Sequence, residues 1–149
     1  MLIGLYKSKL GSKRRVSFPK KFRKILGNKL IVTRGYEGCL VVVDSSRWNE
    51  ITKDVVGGTF LDSKVRESGR FLLAGAHEVE LDDQGRFVLP EDLYEYANLS
   101  KSEKVAVFLG LGNWVEIWSS KQWRDHEEYI RKNGENIVQE LADKIDRVK

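Results

Sequence analysis

Three consecutive basic residues, Lys13, Arg14 and Arg15, stand in a polar turn between apolar stretches and could bind a polyanion. An arginine guanidinium can donate two hydrogen bonds to guanine O6 and N7, and a lysine ammonium can engage a phosphate. Residues 1–36 hold eleven basic residues and no Asp or Glu, which leaves 15 basic and 22 acidic residues in the rest of the chain. A solvated charged surface explains most charge runs, but one of this length without an acid favours a face built for nucleic acid.

Further basic residues flank the turn on both sides. Pro19 is tolerated at the start of a helix, and a helix N-terminus attracts phosphate. The basic residues after Pro19 therefore have either a phosphate-attracting role or the ordinary role of a solvated helix face. The complete set of candidate DNA-contacting residues is Lys7, Lys9, Lys13, Arg14, Arg15, Lys20, Lys21 and Arg23.

The sequence offers no recognisable group of catalytic or metal-binding residues. The single Cys39 and the two distant histidines, His77 and His126, do not form a ligand cluster at metal spacing, and no phosphate-binding loop or nucleophile motif is present. The sequence therefore predicts a protein that is not an enzyme and that has no cofactor, no metal and no small-molecule substrate.

The hydropathy of the chain argues against a membrane protein. No apolar run approaches the roughly 18 residues needed to span a bilayer, and the N-terminus lacks the long apolar stretch of a secretory signal. We expect no membrane partner and a cytoplasmic location, with nucleoid association as the consequence of DNA binding. The 149 residues, 41% of them hydrophobic, suffice for one ordinary domain core or for two small units that share one.

The only two prolines of the chain stand in matching contexts, which indicates an internal repeat. At an offset of 71 residues, Leu10 matches Leu81, Arg15 matches Arg86 and Pro19 matches Pro90. At an offset of 75, residues 30–32 align with 105–107, Gly35 with Gly110 and Trp48 with Trp123. This alignment gives the second copy four extra residues between its proline and its third strand.

Each copy predicts four short strands, a short helix after its proline and a longer helix that carries its tryptophan. The strands are expected at 5–10, 15–18, 30–34 and 39–43, and at 76–81, 86–89, 104–109 and 114–118. The predicted organisation is a first repeat at 1–53, a connecting segment at 54–75 with a helix at about 62–73, a second repeat at 76–124 and a C-terminal helical extension at 125–149.

The last segment, about 120–147, predicts an amphipathic helix with a break at Gly134. Its apolar stripe consists of Ile137, Leu141, Ile145 and Val148. We expect this stripe to pack either on its own domain or on a neighbouring subunit.

The two repeats resemble the signature of the MraZ family, double-repeat members of the AbrB-like swapped-hairpin transcription factors. That signature has Asp, three variable residues and Arg, and Asp82 to Arg86 fits it fully. The stretch from Arg70 to Ala76, and the Glu116-Ile117-Trp118 strand followed by Trp123, are also similar to the family.

This resemblance implies an α+β, mainly β fold of two swapped-hairpin units that form a pseudo-dimeric β-barrel with flanking helices. It also implies a ring-shaped homo-oligomer, commonly an octamer. The implied function is binding of double-stranded DNA at short repeats upstream of the division and cell-wall operon, usually with repression.

The first copy departs from the signature, because Gly11 replaces Asp and Arg14 replaces the usual turn glycine. Arg15 consequently lacks the acidic partner that Asp82 offers to Arg86. We therefore expect Arg15 to contact DNA, whereas Arg86 has either a structural role, in its hairpin or against a neighbouring subunit, or a DNA contact. The alternative function for the whole protein is an interaction scaffold or an antitoxin-like swapped-hairpin protein.

Overall fold

The structure, a computed structural model, describes residues 1–100 and 104–148. These residues form the strands β1 (Leu2–Lys9), β2 (Arg15–Ser17), β3 (Lys29–Arg34), β4 (Leu40–Val43), β5 (His77–Glu80), β6 (Arg86–Val88), β7 (Val105–Gly112) and β8 (Val115–Ser119). The helices are α1 (Lys20–Leu26), α2 (Ser45–Val56), α3 (Ser63–Ser68), α4 (Glu91–Tyr96) and α5 (Ser120–Val148). A 3-10 turn (Ser12–Arg14) precedes β2, and a π-helical turn (Gly69–Leu73) follows α3.

The strands of the two repeats are interleaved in two antiparallel sheets. The larger sheet has the order β1-β7-β8-β4-β3-β5, and the smaller one is a two-stranded ribbon of β2 and β6. The predicted α+β class with mostly β structure is confirmed. The end strands β1 and β5 do not pair with each other in the described chain, so the larger sheet is not closed and the β-barrel stays a prediction.

A pseudo-twofold axis relates the two repeats. It passes through the β2–β6 pair Val16–Phe87 and through the β4–β8 pair Val41–Glu116, because each pair joins residues at equivalent positions of the two repeats. The offset is 71 residues in the first pair and 75 in the second. The repeat inferred from the two prolines is therefore a structural repeat, and the strands of each copy pair with strands of the other.

The alignment of the third strands from sequence was wrong by one residue. Lys9 lies opposite Val105, and its equivalent Glu80 lies opposite Lys29, so β3 and β7 are related by an offset of 76 and the second copy has five extra residues, not four. Gly35 accordingly corresponds to Leu111 and not to Gly110. The physical reason is that residues 106–109 are buried on both faces, so β7 lacks the polar alternation that would fix its register.

The main core lies between the larger sheet and the ribbon. Val16 and Phe87 of the ribbon, Phe22 of α1 and Leu93 of α4 are all buried in one cluster against that sheet. On the opposite face of the sheet, Val107, Leu109 and Trp118 form a smaller cluster with Cys39, against which Trp123 of α5 packs. The ribbon is thus held from beneath by the core while its other face is open to solvent.

Helix α5 is continuous from Ser120 to Val148, so the predicted break at Gly134 is wrong. A single glycine in a long helix costs about 1 kcal/mol relative to alanine, which the neighbouring turns can offset. From residue 135 to 148 every residue of α5 is exposed, including Leu141 at 56% and Ile145 at 48%. The apolar stripe therefore does not pack on its own domain, and a neighbouring subunit is the remaining one of the two expectations.

The helix predicted over 62–73 is present as α3 and the π-helical turn. The predicted boundaries at 53/54 and 124/125 fall inside α2 and α5, and the boundary at 75/76 falls just before β5. The division into four segments remains a prediction.

We expect Gly110→Ala to lower the free energy of unfolding by about 1–3 kcal/mol, because overpacking displaces backbone. Gly110 lies opposite Gly4, and an added Cβ would lie 2.6 Å from the backbone nitrogen of Ile3 and 2.7 Å from the backbone carbon of Leu2. Gly134→Ala is the matched control, since its nearest heavy atom would be a methyl of Ile130 at 3.9 Å and the helix should gain stability. Denaturant unfolding measures both changes, and an unchanged midpoint for Gly110→Ala would contradict the packing argument.

Candidate nucleic-acid interface

The β2–β6 ribbon turns one face to the core and the other to solvent. Val16 and Phe87, which lie opposite each other, are 1% and 4% exposed and point inward. The outer face carries Arg15, Ser17, Arg86 and Val88. Arg15 lies opposite Val88 and Arg86 lies opposite Ser17, so the two arginines are diagonal neighbours on one surface. A two-stranded ribbon of this size fits the major groove of B-form DNA.

Backbone hydrogen bonds attach the two flanking turns to the ribbon symmetrically. Phe18 N–H donates to the carbonyl of Gly85 at 2.9 Å, and Leu89 N–H donates to the carbonyl of Arg14 at 2.8 Å. These four residues are equivalent in pairs under the pseudo-twofold axis. Each turn is consequently held by the strand of the other repeat.

In the second turn, the carboxylate of Asp82 organises both backbone and side chain. One oxygen accepts hydrogen bonds from the backbone N–H groups of Gln84 and Arg86, both at 2.9 Å, and the other accepts from Arg86 Nε at 3.1 Å. The hydrogen bond from the Arg86 backbone N–H is the leading cause that holds the pKa of Asp82 below its usual value. Asp82 is therefore ionised at neutral pH, and Arg86 is oriented by it.

The first turn keeps the backbone plan of the second without a carboxylate. Gly11 N–H donates to the carbonyl of Arg15 at 2.9 Å, as Asp82 N–H donates to that of Arg86 at 2.8 Å. Arg14 occupies the place of Gly85 with φ of 59°, close to the glycine's 78°, and Lys13 also has a positive φ of 56°. Gly11 and Arg14 in place of aspartate and glycine thus leave the turn closed, but Lys13 and Arg14 must both adopt the strained left-handed region.

The three basic residues of the first turn have different surroundings. Arg14 is half-buried, and its Nε donates to the carbonyl of Leu89 at 3.0 Å, so part of this guanidinium is committed to the fold. Lys13 is exposed. Within residues 1–100 and 104–148, the side chain of Arg15 forms no hydrogen bond or ion pair, in contrast to Arg86. Sequence reasoning assigned all three residues to one DNA-contacting tip, whereas in the structure each of them has a different environment.

The other candidate residues fall into separate places. Lys7, Lys20 and Lys21 border one shallow cleft of about 350 Å³, which Ser17 of the ribbon also borders. Lys9 is exposed at the end of β1. Arg23 is not part of the cleft: a Cβ built on Gly85 would meet its Nη1, so its guanidinium covers the second turn.

The interleaving places each turn beside the helix of the other repeat, and the charges are crossed. Lys13 and Arg14 line a groove of about 670 Å³ together with Glu91 and Glu95 of α4. The acidic second turn lies beside Arg23 of the basic helix α1. The positive field of the first 36 residues is therefore not a uniform surface, because acidic residues of the second repeat lie next to part of it.

The structure supports no competing metal or membrane site in the part of the chain that it describes. Residues 1–100 and 104–148 contain no group of three or more His, Cys, Asp or Glu that could hold a metal ion. In the same residues, no helix combines the length and the apolar character that a membrane span requires.

The fold and the ribbon together define a two-repeat protein in which the repeats complete each other's sheets. The family described as "MraZ protein", and as antitoxin-like, matches residues 1–59 and 72–147. The chain is 38% identical over 143 residues to the transcriptional regulator MraZ of Natranaerobius thermophilus, covering 96% of this chain and 98% of that one. It is 39% identical over 141 residues to the protein of the same name from Caldanaerobacter subterraneus, covering 95% and 96%.

A third relative, the transcriptional regulator MraZ of Syntrophomonas wolfei, is 36% identical over 143 residues and is covered to 98%. The chain belongs to the MraZ family, and the resemblance inferred from its motifs is confirmed. Because this is a family of named transcriptional regulators, the prediction that the chain is not an enzyme is confirmed as well.

Sequence reasoning missed two features of the site. It did not foresee that Arg15 and Arg86 share one surface, because that follows from pairing between strands 71 residues apart. It also assigned Arg23 to DNA without seeing its contact with the second turn. The matched spacing of the two arginines before the two prolines was the signal that could have revealed the shared ribbon.

We expect the pKa of Asp82, followed by NMR, to lie below the usual aspartate value and to rise only in part in Arg86→Ala, which removes the side-chain hydrogen bond and the charge of Arg86 but keeps its backbone N–H. The hydrogen-bonded carboxylate stabilises the second turn at pH values above the pKa of the unfolded chain, and that contribution is lost as the pH falls through the folded pKa. Asp83, which lies in the same turn, is the matched control because no contact with Arg86 is found for it in the described chain. A normal pKa for Asp82 would contradict the turn geometry.

Proposed function

We propose that the protein is a transcriptional regulator that binds double-stranded DNA through the outer face of the β2–β6 ribbon. The observation that carries this proposal is the pair Arg15 and Arg86 on one solvent-facing surface, with the Arg15 guanidinium unpartnered in the described chain. A guanidinium free of other bonds can donate two hydrogen bonds to a guanine in the major groove. The names of the relatives, all transcriptional regulators, support the same function.

The residues of the interface divide into base-reading and phosphate-binding groups. Arg15 reads base edges, and the free nitrogens of Arg14 assist it from the half-buried position beside Leu89. Lys13, Lys20 and Lys21 are exposed next to the ribbon or its turn and neutralise phosphates. Arg23 supports the second turn, since its guanidinium lies against Gly85. Arg86 is positioned by Asp82 and contributes less to recognition than Arg15.

The finer parts of the proposal follow from the family resemblance together with this site. The targets are short repeated boxes upstream of the division and cell-wall gene cluster, and binding represses that cluster. The protein acts in the cytoplasm at the nucleoid as a homo-oligomeric ring, with the octamer as the expected size. The ribbon and the larger sheet enclose one core and correspond to the pseudo-dimeric barrel of the swapped-hairpin proteins.

An interaction scaffold with an antitoxin-like role is the second candidate, and the family's description as antitoxin-like favours it. A mobility-shift assay on DNA from upstream of the protein's own gene, with shuffled DNA as competitor, separates the two. A regulator prefers the upstream DNA. Equal affinity for both DNAs would reject sequence-specific regulation and leave the scaffold.

We expect Arg15→Ala to weaken specific binding by about 1–3 kcal/mol per engaged site and to relax specificity. Lys13→Ala should weaken binding to all sequences alike and lower the salt slope by about one per site, because it removes a phosphate contact. Arg86→Ala should mainly reduce stability or assembly. The measurement is DNA affinity against salt concentration for the three variants, after each has been checked for folding and oligomer size.

Arg86→Ala is also the matched control for Arg15→Ala, since the two positions are equivalent under the pseudo-twofold axis. Loss of DNA binding in an intact Arg86→Ala oligomer, with normal binding by Arg15→Ala, would assign recognition to the second strand of the ribbon.

We expect the protein to be a stable oligomer at micromolar concentration. The apolar stripe of α5 is exposed in the single chain, and contiguous exposed apolar surface is typical of protein–protein contact sites. A closed ring would also repeat the ribbon at a fixed spacing and gain avidity on repeated DNA boxes. Light scattering measures the mass directly, and a monomer of 17.1 kDa at that concentration would refute the expectation.

A further inference from the structure

Exposed charges at equivalent positions of the two repeats have opposite signs. The strand pairings and the offset of 71 make Lys7 equivalent to Glu78 and Lys9 equivalent to Glu80. The same offset relates three further pairs, which are Lys20 and Glu91, Lys21 and Asp92, and Lys24 and Glu95. All ten side chains belong to exposed residues. The pseudo-twofold axis therefore maps a basic surface onto an acidic surface of the same backbone shape.

The charges on the helices have a partial explanation inside the chain, because each helix faces an oppositely charged turn. Glu91 and Glu95 share a groove with Lys13 and Arg14. Asp92 is also paired, since its carboxylate accepts from His77 Nε2 at 3.1 Å. These helix charges are consequently not evidence of an external partner.

The charges on the strands lack such an explanation. Lys7 and Lys9 lie opposite Val107 and Val105, and Glu78 lies opposite Ile31. Glu80 lies opposite Lys29 but forms no ion pair with it in the described chain. Within residues 1–100 and 104–148, no ion pair is found for any of the four edge residues.

The position of these four residues suits a contact between molecules. β1 and β5 are the two end strands of the larger sheet. The four charged side chains lie on the outward face of these strands, whereas Leu2 and Tyr6 of β1 and Val79 of β5 pack on the opposite face, in the main core. We define the basic edge as Lys7 and Lys9 and the acidic edge as Glu78 and Glu80. Ile3 and Leu5, 50% and 42% exposed on the same face as the basic edge, add apolar surface that a partner could cover.

We propose that the basic edge of one copy docks on the acidic edge of a second copy, so that copies join head to tail. The inference rests on the homo-oligomer of the proposed function and names the joint within it. Contacts between like edges would place the same charge on both sides and are repelled, whereas unlike edges attract. Charges of this pattern therefore select a heterologous contact, which closes into a ring when the rotation between copies closes.

The experiment that tests this contact reverses the charge of one edge at a time. Lys7→Glu with Lys9→Glu makes both edges acidic, and Glu78→Lys with Glu80→Lys makes both edges basic. Neither variant should reach the wild-type mass in 0.15 M salt without DNA, because the edge joint is lost while the α5 stripe is unchanged, and the protein concentration for half-dissociation of the wild-type assembly should rise by about tenfold. An equimolar mixture of the two variants should assemble again, because each then meets its complement, and the fourfold charge-swapped chain should assemble alone.

Light scattering follows the mass, and circular dichroism with thermal unfolding verifies the fold of every variant. Lys64→Glu with Lys121→Glu is the matched control, because it changes the charge equally at exposed positions of α3 and α5 and should keep the wild-type mass. If an edge variant fails to fold, the fourfold swap and the salt dependence of wild-type assembly decide: the mass should fall as salt is raised.

Three results would contradict the proposed contact between the basic and acidic edges. One is a wild-type mass for both edge variants, another is a folded mixture that does not assemble, and the third is a wild-type mass that does not change with salt. If Lys7→Glu with Lys9→Glu loses only DNA affinity and keeps its mass, the two lysines are phosphate contacts and the joint is rejected. A monomeric wild-type protein rejects the proposed homo-oligomer itself, so the two failures are distinguishable.

Discussion

The pairing of β2 with β6 is the interaction on which the rest of the structure depends. Each strand has only three residues, which is too short to be stable alone, and each is supplied by a different repeat. Burial of Val16 and Phe87 at the centre of this pair, together with Phe18 and Leu89 at its ends, ties the ribbon to the core. Removal of large apolar side chains of this kind typically costs about 2–5 kcal/mol each.

The outer surface of the ribbon follows directly from that inward packing. Because strand side chains alternate, burying Val16 and Phe87 obliges Arg15 and Arg86 to face solvent. The pseudo-twofold axis then places both arginines on the same face of the ribbon, although their turns differ. Asp82 restrains Arg86. The first turn keeps the same backbone path with Lys13 and Arg14 in the left-handed region, and it leaves the Arg15 side chain unrestrained. One arginine is thus oriented in advance and the other is available for a new partner.

Sequence reasoning succeeded where local chemistry decides the structure. The prolines located α1 and α4, and the Asp82 to Arg86 spacing predicted a turn with an internal ion pair. It failed where distant pairing decides. The alignment predicted for β7 was wrong because residues 106–109 are buried on both faces of the sheet. The break at Gly134 was wrong because one glycine is weaker than the helical preference of its neighbours. The pairing of β2 with β6 links residues far apart in the chain, and no local pattern reports it.

The second crossing of the pseudo-twofold axis shows how a single chain departs from the symmetry of two identical copies. There Glu116 lies opposite Val41, and its two carboxylate oxygens accept from the indole Nε1 groups of Trp114 at 3.1 Å and Trp118 at 3.0 Å. Burial, reinforced by Glu116, raises the pKa of the Cys39 thiol, which therefore stays protonated and inert beneath this surface.

A dimer of identical repeats would have to place the same residue at both sides of each axial pair and the same charge at both edges. Joining the repeats in one chain removes that constraint. The equivalent helices α2 and α5 can then differ in length, so that α2 ends at Val56 and α5 at Val148. The two edges can likewise carry opposite charges. Unlike edges give the molecule a direction, and a directional unit is what a head-to-tail assembly needs, because identical edges could only meet like with like.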